Sequence, residues 1–419
     1  MRDVYGLRLL AQPAVRRAAL GFVVVLVLGY RVIQFAGWTG AEQWGYDFSF
    51  YWTAASQLLH GLPIYSAEQL AGPYVPQAQP GFLYPPPVGA FFAVFALLFP
   101  TDPLAANWLW AAIGAAILVA CVLRLAAVER LADRYPMLAG RGRWWLVAAA
   151  FAFPPVVDEL VVGNVHLLLL GILTLAWLGL RFGGRDDVLG GAAIGVAAVV
   201  KVFPGLLVFW LLVRRRFAAA GWAVAGAVAF TVAALPTTGV ESWRQYPTVL
   251  ANLSATPDAV DALAPTAWLT PLLGFTIARV AVTLAGLGIL VAVRRADLRL
   301  SFSVAVVVAT LVTPAMYTSY LTLFVLPLLL GLAAGVPLRW LGLAYLLMWG
   351  GQQPALGDLA WVVNRAMPTA GALVLLASLV AGALRPDRAL RHQEPANRVG
   401  RDDDLGPDEG REGERAPAG

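Results

Sequence analysis

The chain is poor in cysteine, histidine, lysine and charge. It has one cysteine, three histidines and one lysine among 419 residues. The single cysteine, Cys121, excludes an intrachain disulfide framework and a cysteine-built metal centre. No His, Asp and Glu residues fall at metal-ligand spacing, so no metal is expected. Charged residues make up only 13%, where soluble globular chains carry about a quarter. That scarcity excludes an ordinary water-facing surface. The formal net charge of +5 is not a nucleic-acid signal either, because the arginines cluster beside apolar segments, where they mark membrane topology.

Apolar residues fill the space instead. They are 59% of the chain, and the mean hydropathy is +0.71. Ala18 to Phe35 (interrupted by Arg31), Leu104 to Val122, His166 to Leu180, Phe217 to Leu235, Thr276 to Val293 and Ala370 to Leu384 reach or approach the roughly 20 residues that span a bilayer. The class is therefore an all-α polytopic membrane protein. The basic start "MRDVYGLRLLAQPAVRRAAL" leads into a long apolar run with no clear small-residue cleavage site, which predicts a retained first helix. Residues 1–385 form one transmembrane domain, and the charged, Gly- and Pro-rich stretch 386–419 is expected to be a disordered cytoplasmic tail.

Positive-inside counting orients the helices. Arg2, Arg8, Arg16 and Arg17 put the N-terminus in the cytoplasm. Residues 37–84 then lie outside, with Glu42, Asp47 and Glu68 and no Lys or Arg. Arg124 to Arg143, Arg181 with Arg185, Arg214 to Arg216, Arg294 to Arg299 and Arg339 mark cytoplasmic loops. Pro236 to Pro265, Thr313 to Tyr320 and the stretch "GGQQPALGDLAWVVNRAMP" read as outside. Two apolar segments between Tyr84 and Arg124 occupy the place of one crossing. "PVGAFFAVFALLFP" is short for a span and reads as partial or re-entrant, leaving about twelve spans. The expected location is the cell inner (plasma) membrane, multi-pass, with both termini cytoplasmic.

The lone lysine, Lys201, lies in "GGAAIGVAAVVKVFPGLLVFWLLVRRR" between two cytoplasmic arginine groups. Leu189 to Val213 must leave the inner face and return, which predicts two half-helices meeting at "KVFPG", where Pro204 breaks the helix. Broken backbone at membrane depth must face protein or a wet cavity, and a buried ammonium needs an anionic partner. Lys201 is either a snorkelling side chain or an anion site at the hairpin tip.

The outside stretch carries a second signal. From Asp47 to Leu59, the apolar residues Phe48, Tyr51, Trp52, Ala55, Leu58 and Leu59 have helical spacing, as in a helix lying along a membrane surface. Asp47 at its start is either an N-cap or a functional carboxylate.

"YDFSFYWTAASQLLHGLPIY", "FLYPPPVGAFFAVFALLFP", "GNVHLLLLGILTLAWLGLR" and "GAAIGVAAVVKVFPGLLVFWLLVRRR" resemble glycosyltransferase family 87 in order and spacing, over about residues 20–235. The family includes mycobacterial polyprenyl-phosphomannose-dependent alpha-mannosyltransferases. The later match rests on "NLS" at Asn252 to Ser254 and on "TPAMYTSYLTLFVLPLLL". The resemblance implies a GT-C-type glycosyltransferase fold with about 12 transmembrane helices. It implies that Asp47 matches the catalytic aspartate and Lys201 the lysine before proline. The chain departs from the family at Gly163, Asn164, Val165, His166, where Gly-Gln-x-Asn is common, and at Tyr317, Ser319 and Tyr320, where Trp and His are common. Those departures bear on sugar and acceptor.

The implied reaction is an inverting transfer of a sugar, mannose by the resemblance, from a polyprenyl-phosphate donor to a lipid or glycan acceptor outside the membrane. No cofactor, metal or nucleic acid enters. Asp47 takes the acceptor proton. Lys201 stabilises the departing phosphate. Arg279 is a second phosphate contact or an interfacial anchor. His166 touches the donor or caps its helix. Asp158 and Glu159 bind substrate or are solvated loop acids. Asn164, Tyr317 and Tyr320 are substrate-binding candidates, Glu68 holds an acceptor or closes a turn, and His60 is surface. The competing class is a transporter or flippase of polyprenyl-linked lipids. The long acidic first outside loop and the absence of visible repeats favour the transferase.

Overall fold

The computed structural model describes residues 13–73, 81–183, 187–255, 262–350, 357 and 359–385. Arg2, Arg8, Arg185, the stretch 351–356 and the tail 386–419 lie outside the described residues. Among those described, every regular element is helical.

Numbering only helices of eight residues or more, the order is α1 (Pro13–Thr39), α2 (Tyr46–Leu59), α3 (Pro86–Leu98), α4 (Pro103–Val128), α5 (Trp144–Ala152), α6 (Pro154–Val162), α7 (His166–Leu180) and α8 (Asp187–Val200). There follow α9 (Leu206–Val213), α10 (Phe217–Ala255), α11 (Pro265–Leu273), α12 (Phe275–Ala292), α13 (Leu298–Leu311), α14 (Val325–Ala334), α15 (Leu338–Leu347) and α16 (Met367–Ala383). Proline opens α3, α4 and α6, where its missing N–H costs nothing. Asp102 caps α4 by accepting from the Ala105 amide, and Asp297 caps α13 in the same way through Arg299 and Leu300. Ser66 and Gln69 form a capping box on the short helix Ala67–Ala71, which settles the Glu68 stretch as a closed turn.

Five described stretches are long and apolar enough to cross a bilayer: Gly21–Thr39, Pro103–Val128, Phe217–Leu253, Phe275–Ala292 and Leu359–Ala383. A sixth counts if α5 and α6, bent by 63° at Phe153, are one broken span. Seven further apolar helices have 10–17 residues, each shorter than the length that crosses a bilayer. Phe22, Ile33, Leu97, Val224, Ile277 and Leu284 stay exposed on the outer faces, as side chains meant for lipid do. At the centre stands α13, buried from Leu300 through Leu311.

The stretch Pro236 to Pro265, expected as an outside loop, is corrected in its form: residues 256–261 lie outside the described residues, and the part before them is helix rather than loop. The chain stays helical to Ala255 and yields only at Gly239, whose φ of 65° breaks the spiral. The apolar stripe of α2 is also spent differently from a surface helix. Phe48, Tyr51, Ala54 and Ala55 are buried, packed largely on α3, while Leu59 remains exposed.

The predicted broken hairpin is present. α8 and α9 are joined by a 3₁₀ turn, Phe203–Gly205. Their far ends meet: Arg216 pairs with Asp187 and donates to the Leu180 carbonyl. α8 lies tight on α10, because a Cβ on Gly195 would overlap the Ala223 carbonyl. This packing fixes the hairpin that carries Lys201.

Candidate functional site

Three separate turns converge on one point. The start of α2 brings Asp47. The α6–α7 turn brings Glu159, Asn164 and His166. The hairpin tip brings Lys201. Gly163 makes the α6–α7 turn possible: it ends α6 at φ 69°, and a Cβ there would meet the Asn107 amide and, at 2.7 Å, Phe48. Trp110 Nε1 donates to the carbonyls of both Gly163 and Asn164, at 3.1 and 2.9 Å, and holds the turn from below. The Gly45 amide donates to the Val161 carbonyl at 2.8 Å, tying α2 to α6.

The side chains then form one continuous hydrogen-bonded line. Glu159 Oε1 accepts from the His166 and Leu167 amides, and Glu159 Oε2 accepts from His166 Nδ1 at 2.7 Å. The other ring nitrogen, His166 Nε2, accepts from Lys201 Nζ at 2.8 Å. Lys201 Nζ lies 3.5 Å from Asn164 Oδ1, which also accepts from the Tyr84 hydroxyl and the Val165 amide. Asn164 Nδ2 donates to Asp47 Oδ2 at 2.6 Å. The line runs Glu159, His166, Lys201, Asn164, Asp47.

Aromatic faces surround the cation. Lys201 Nζ is 3.9 Å from the Tyr320 ring centroid and 5.2 Å from that of Tyr84. Such contacts favour an ammonium held out of water. Tyr320 also lies against His166, with ring centroids 4.2 Å apart. Tyr320 comes from the 3₁₀ helix Thr318–Phe324, pinned by Thr322 donating to the Pro155 carbonyl. Tyr84 is pinned through its own carbonyl, which accepts from Tyr65.

Asp47 is not the helix cap. Gly45 occupies that place, and the Asp47 carboxylate instead accepts across the site from Asn164. Enclosure by protein pushes the Asp47 carboxyl above its ordinary range. The Asn164 hydrogen bond and the Lys201 charge pull it part of the way back. Asp47 Oδ1 receives no hydrogen bond from the described residues.

Other expectations are corrected. Asp158 and Glu159 are not solvated loop acids: both lie in α6, and both are buried. His166 does not cap α7; that task falls to the Glu159 carboxylate. Lys201 does not snorkel, being only 9% exposed. Tyr317 sits beside Tyr320 with ring centroids 6.4 Å apart, while Asp158 and Arg279 are not members of the bonded line. Arg279 is half-buried on α12. His60 is exposed and bonded to its own helix through Ser56. Asn252 donates to the Gln69 carbonyl and fastens the stretch after α2 to α10. Tyr84 was not singled out by sequence. Its only signal is "LYPPP", and an aromatic beside a proline turn looks like any interfacial anchor. Among the described residues, no group of three or more His, Cys, Asp or Glu side chains is placed to hold a metal ion.

Two curated alpha-(1->3)-arabinofuranosyltransferases, from two strains of Mycobacterium tuberculosis, are each 36% identical over 160 residues. The match covers 38% of this chain and 35% of each relative, so the chain spans about a third of the relatives it matches. No solved structure matches. The family model described as glycosyltransferase family 87 matches residues 82–314, a stretch that holds Tyr84, Glu159, Asn164, His166 and Lys201. With more than half of its length inside that match, the chain belongs to glycosyltransferase family 87.

Proposed function

We propose that the chain is an inverting glycosyltransferase that moves a sugar from a polyprenyl-phosphate donor to a lipid or glycan hydroxyl. The observation that carries the reading is the pairing, through one asparagine, of a carboxylate, one oxygen of which has no partner among the described residues, and a lysine ammonium between aromatic faces. Asp47 accepts the proton of the attacking hydroxyl. The acceptor oxygen bonds to the anomeric carbon as the bond from that carbon to the phosphate oxygen breaks. Lys201 meets the charge that gathers on the departing phosphate. A polyprenyl phosphate is itself the leaving group, so the reading uses no nucleotide and no metal. Arg279 enters as a second phosphate contact because of its predicted outer position, and Tyr317 as a substrate contact at a position where the chain departs from the family pattern.

Two sugars have support. The sequence resemblance points to mannose, and the printed name of the matching relatives points to arabinofuranose. The site is assigned to the outer side of a plasma membrane, with both termini cytoplasmic. On a Cys121→Ala background, Glu68→Cys should react with an impermeant thiol reagent on intact cells; protection until lysis would overturn that orientation. For the chemistry, purified protein is incubated with membrane lipid extract and either radiolabelled polyprenyl-phosphomannose or polyprenyl-phosphoarabinofuranose. Label should move to a new product with one donor and not in Asp47→Asn. Transfer from neither donor would overturn the reading.

A further inference from the structure

Lys201 is held by residues that have no direct part in the proposed reaction. Its ammonium has three N–H groups. One is given to His166 Nε2 at 2.8 Å, and Asn164 Oδ1 is a distant second acceptor at 3.5 Å. His166 can accept there only if its proton sits on Nδ1. Glu159 ensures this by taking Nδ1–H at 2.7 Å. Glu159 is itself immobilised, because its other oxygen accepts the first two amides of α7. His166 is fully buried and Glu159 nearly so, at 0% and 1% exposed.

We infer that Glu159 and His166 are positioning residues, which fix one imidazole tautomer so that Lys201 presents its ammonium to the anionic phosphate of a lipid-linked donor. The inference rests on the proposed donor-phosphate role of Lys201. It assigns His166 a place behind the lysine rather than against the sugar. Glu159→Gln isolates the effect. The amide oxygen still accepts the α7 backbone N–H groups, so the helix start is kept. The amide NH₂ then faces Nδ1, which must become the acceptor, and the ring proton moves to Nε2. Nε2–H and the Lys201 ammonium are both donors, and the lysine loses its orientation.

The test uses the full chain in detergent and two probes, decaprenyl phosphate and decaprenol, which share a chain and differ in the phosphate. Binding of each is measured by competition against a fluorescent polyprenyl phosphate. Damage to the fold would weaken both probes alike, whereas lost positioning weakens only the phosphate. Wild type should prefer the phosphate, and Lys201→Met should abolish the preference. Glu159→Gln should cut the preference about tenfold or more while leaving decaprenol binding unchanged, since a charge-assisted contact is of that order. His166→Leu should behave like Glu159→Gln. His166→Gln, whose amide oxygen can accept from Lys201, should recover part of the preference. A preference that survives in Glu159→Gln and His166→Leu but disappears in Lys201→Met would overturn the positioning role alone. A wild type indifferent to the phosphate would overturn the donor-phosphate role of Lys201 and this inference with it.

Discussion

Two buried polar clusters stand at opposite ends of α7, and they are built differently. At the C-terminal end, Glu129 accepts from Trp177 and Arg181 on one oxygen and from Arg299 on the other. Both carboxylate oxygens are occupied, and each cation is committed. At the N-terminal end, the line from Glu159 finishes at Lys201 and Asp47. Lys201 gives one short hydrogen bond, and Asp47 leaves one oxygen free of the described residues. A closed cluster ties helices together, here the end of α4, the end of α7 and the start of α13. In the proposed reaction the open one faces the donor phosphate and the acceptor hydroxyl. The difference teaches that burial of charge is not by itself a mark of function; unspent bonding capacity is the better sign.

The comparison can be broken from either side. The largest effect is expected at the open cluster. Asp47→Asn should fold as wild type and lose roughly 10²–10⁴-fold in transfer rate, the usual cost of removing a general base. Steady-state transfer with thermal melting in detergent measures both, and a near wild-type rate would leave Asp47 without its assigned role.

The closed cluster should respond in the opposite currency. Glu129→Ala strands Arg181 and Arg299. Breaking a buried pair costs about 3–5 kcal/mol, reduced here to about 2–4 kcal/mol because both arginines keep some solvent access. The melting temperature should fall while the rate per folded molecule holds. A lost rate with unchanged melting would reverse the two assignments.

Lys201→Met should weaken donor binding by about 1.5–3 kcal/mol, the worth of a charge-assisted hydrogen bond. Lys201→Arg should restore little. A planar guanidinium is wider than an ammonium, and the rings of Tyr84 and Tyr320 close on Nζ at 5.2 and 3.9 Å. Donor affinity in both variants sharpens the contrast, and full recovery in the arginine variant would show that charge alone suffices.

The smallest effect concerns pH. In the proposed reaction Asp47 acts as an ionised base, and its carboxyl titrates above the ordinary range because it is enclosed. Transfer should therefore be present above that raised midpoint and be lost as pH falls through it. Asn164→Leu removes a hydrogen bond that favours the ionised form, so the midpoint should move further up. A pH–rate profile of the two proteins checks the sign; a downward shift would contradict it.

The sequence alone settled the class, because apolar content and arginine placement follow from bilayer thickness and electrostatics. It also set the extent of some helices: α7 begins at His166 and ends at Leu180 as the apolar run does. Pro204 announced the break beside Lys201, and Asp47 stood out as an acid in a stretch without Lys or Arg. Tertiary structure alone decided which polar groups meet. Asn164 and Asp47 are 117 residues apart, Lys201 and His166 are 35, and Arg299 and Glu129 are 170. No local pattern encodes such pairs. Nothing in "AAVERLADR" singles out Glu129, and Glu159 in "VVDELVVG" reads as a loop acid. Each gains its meaning only when neighbouring helices remove water from it, since a buried carboxylate must then find donors wherever the packing supplies them.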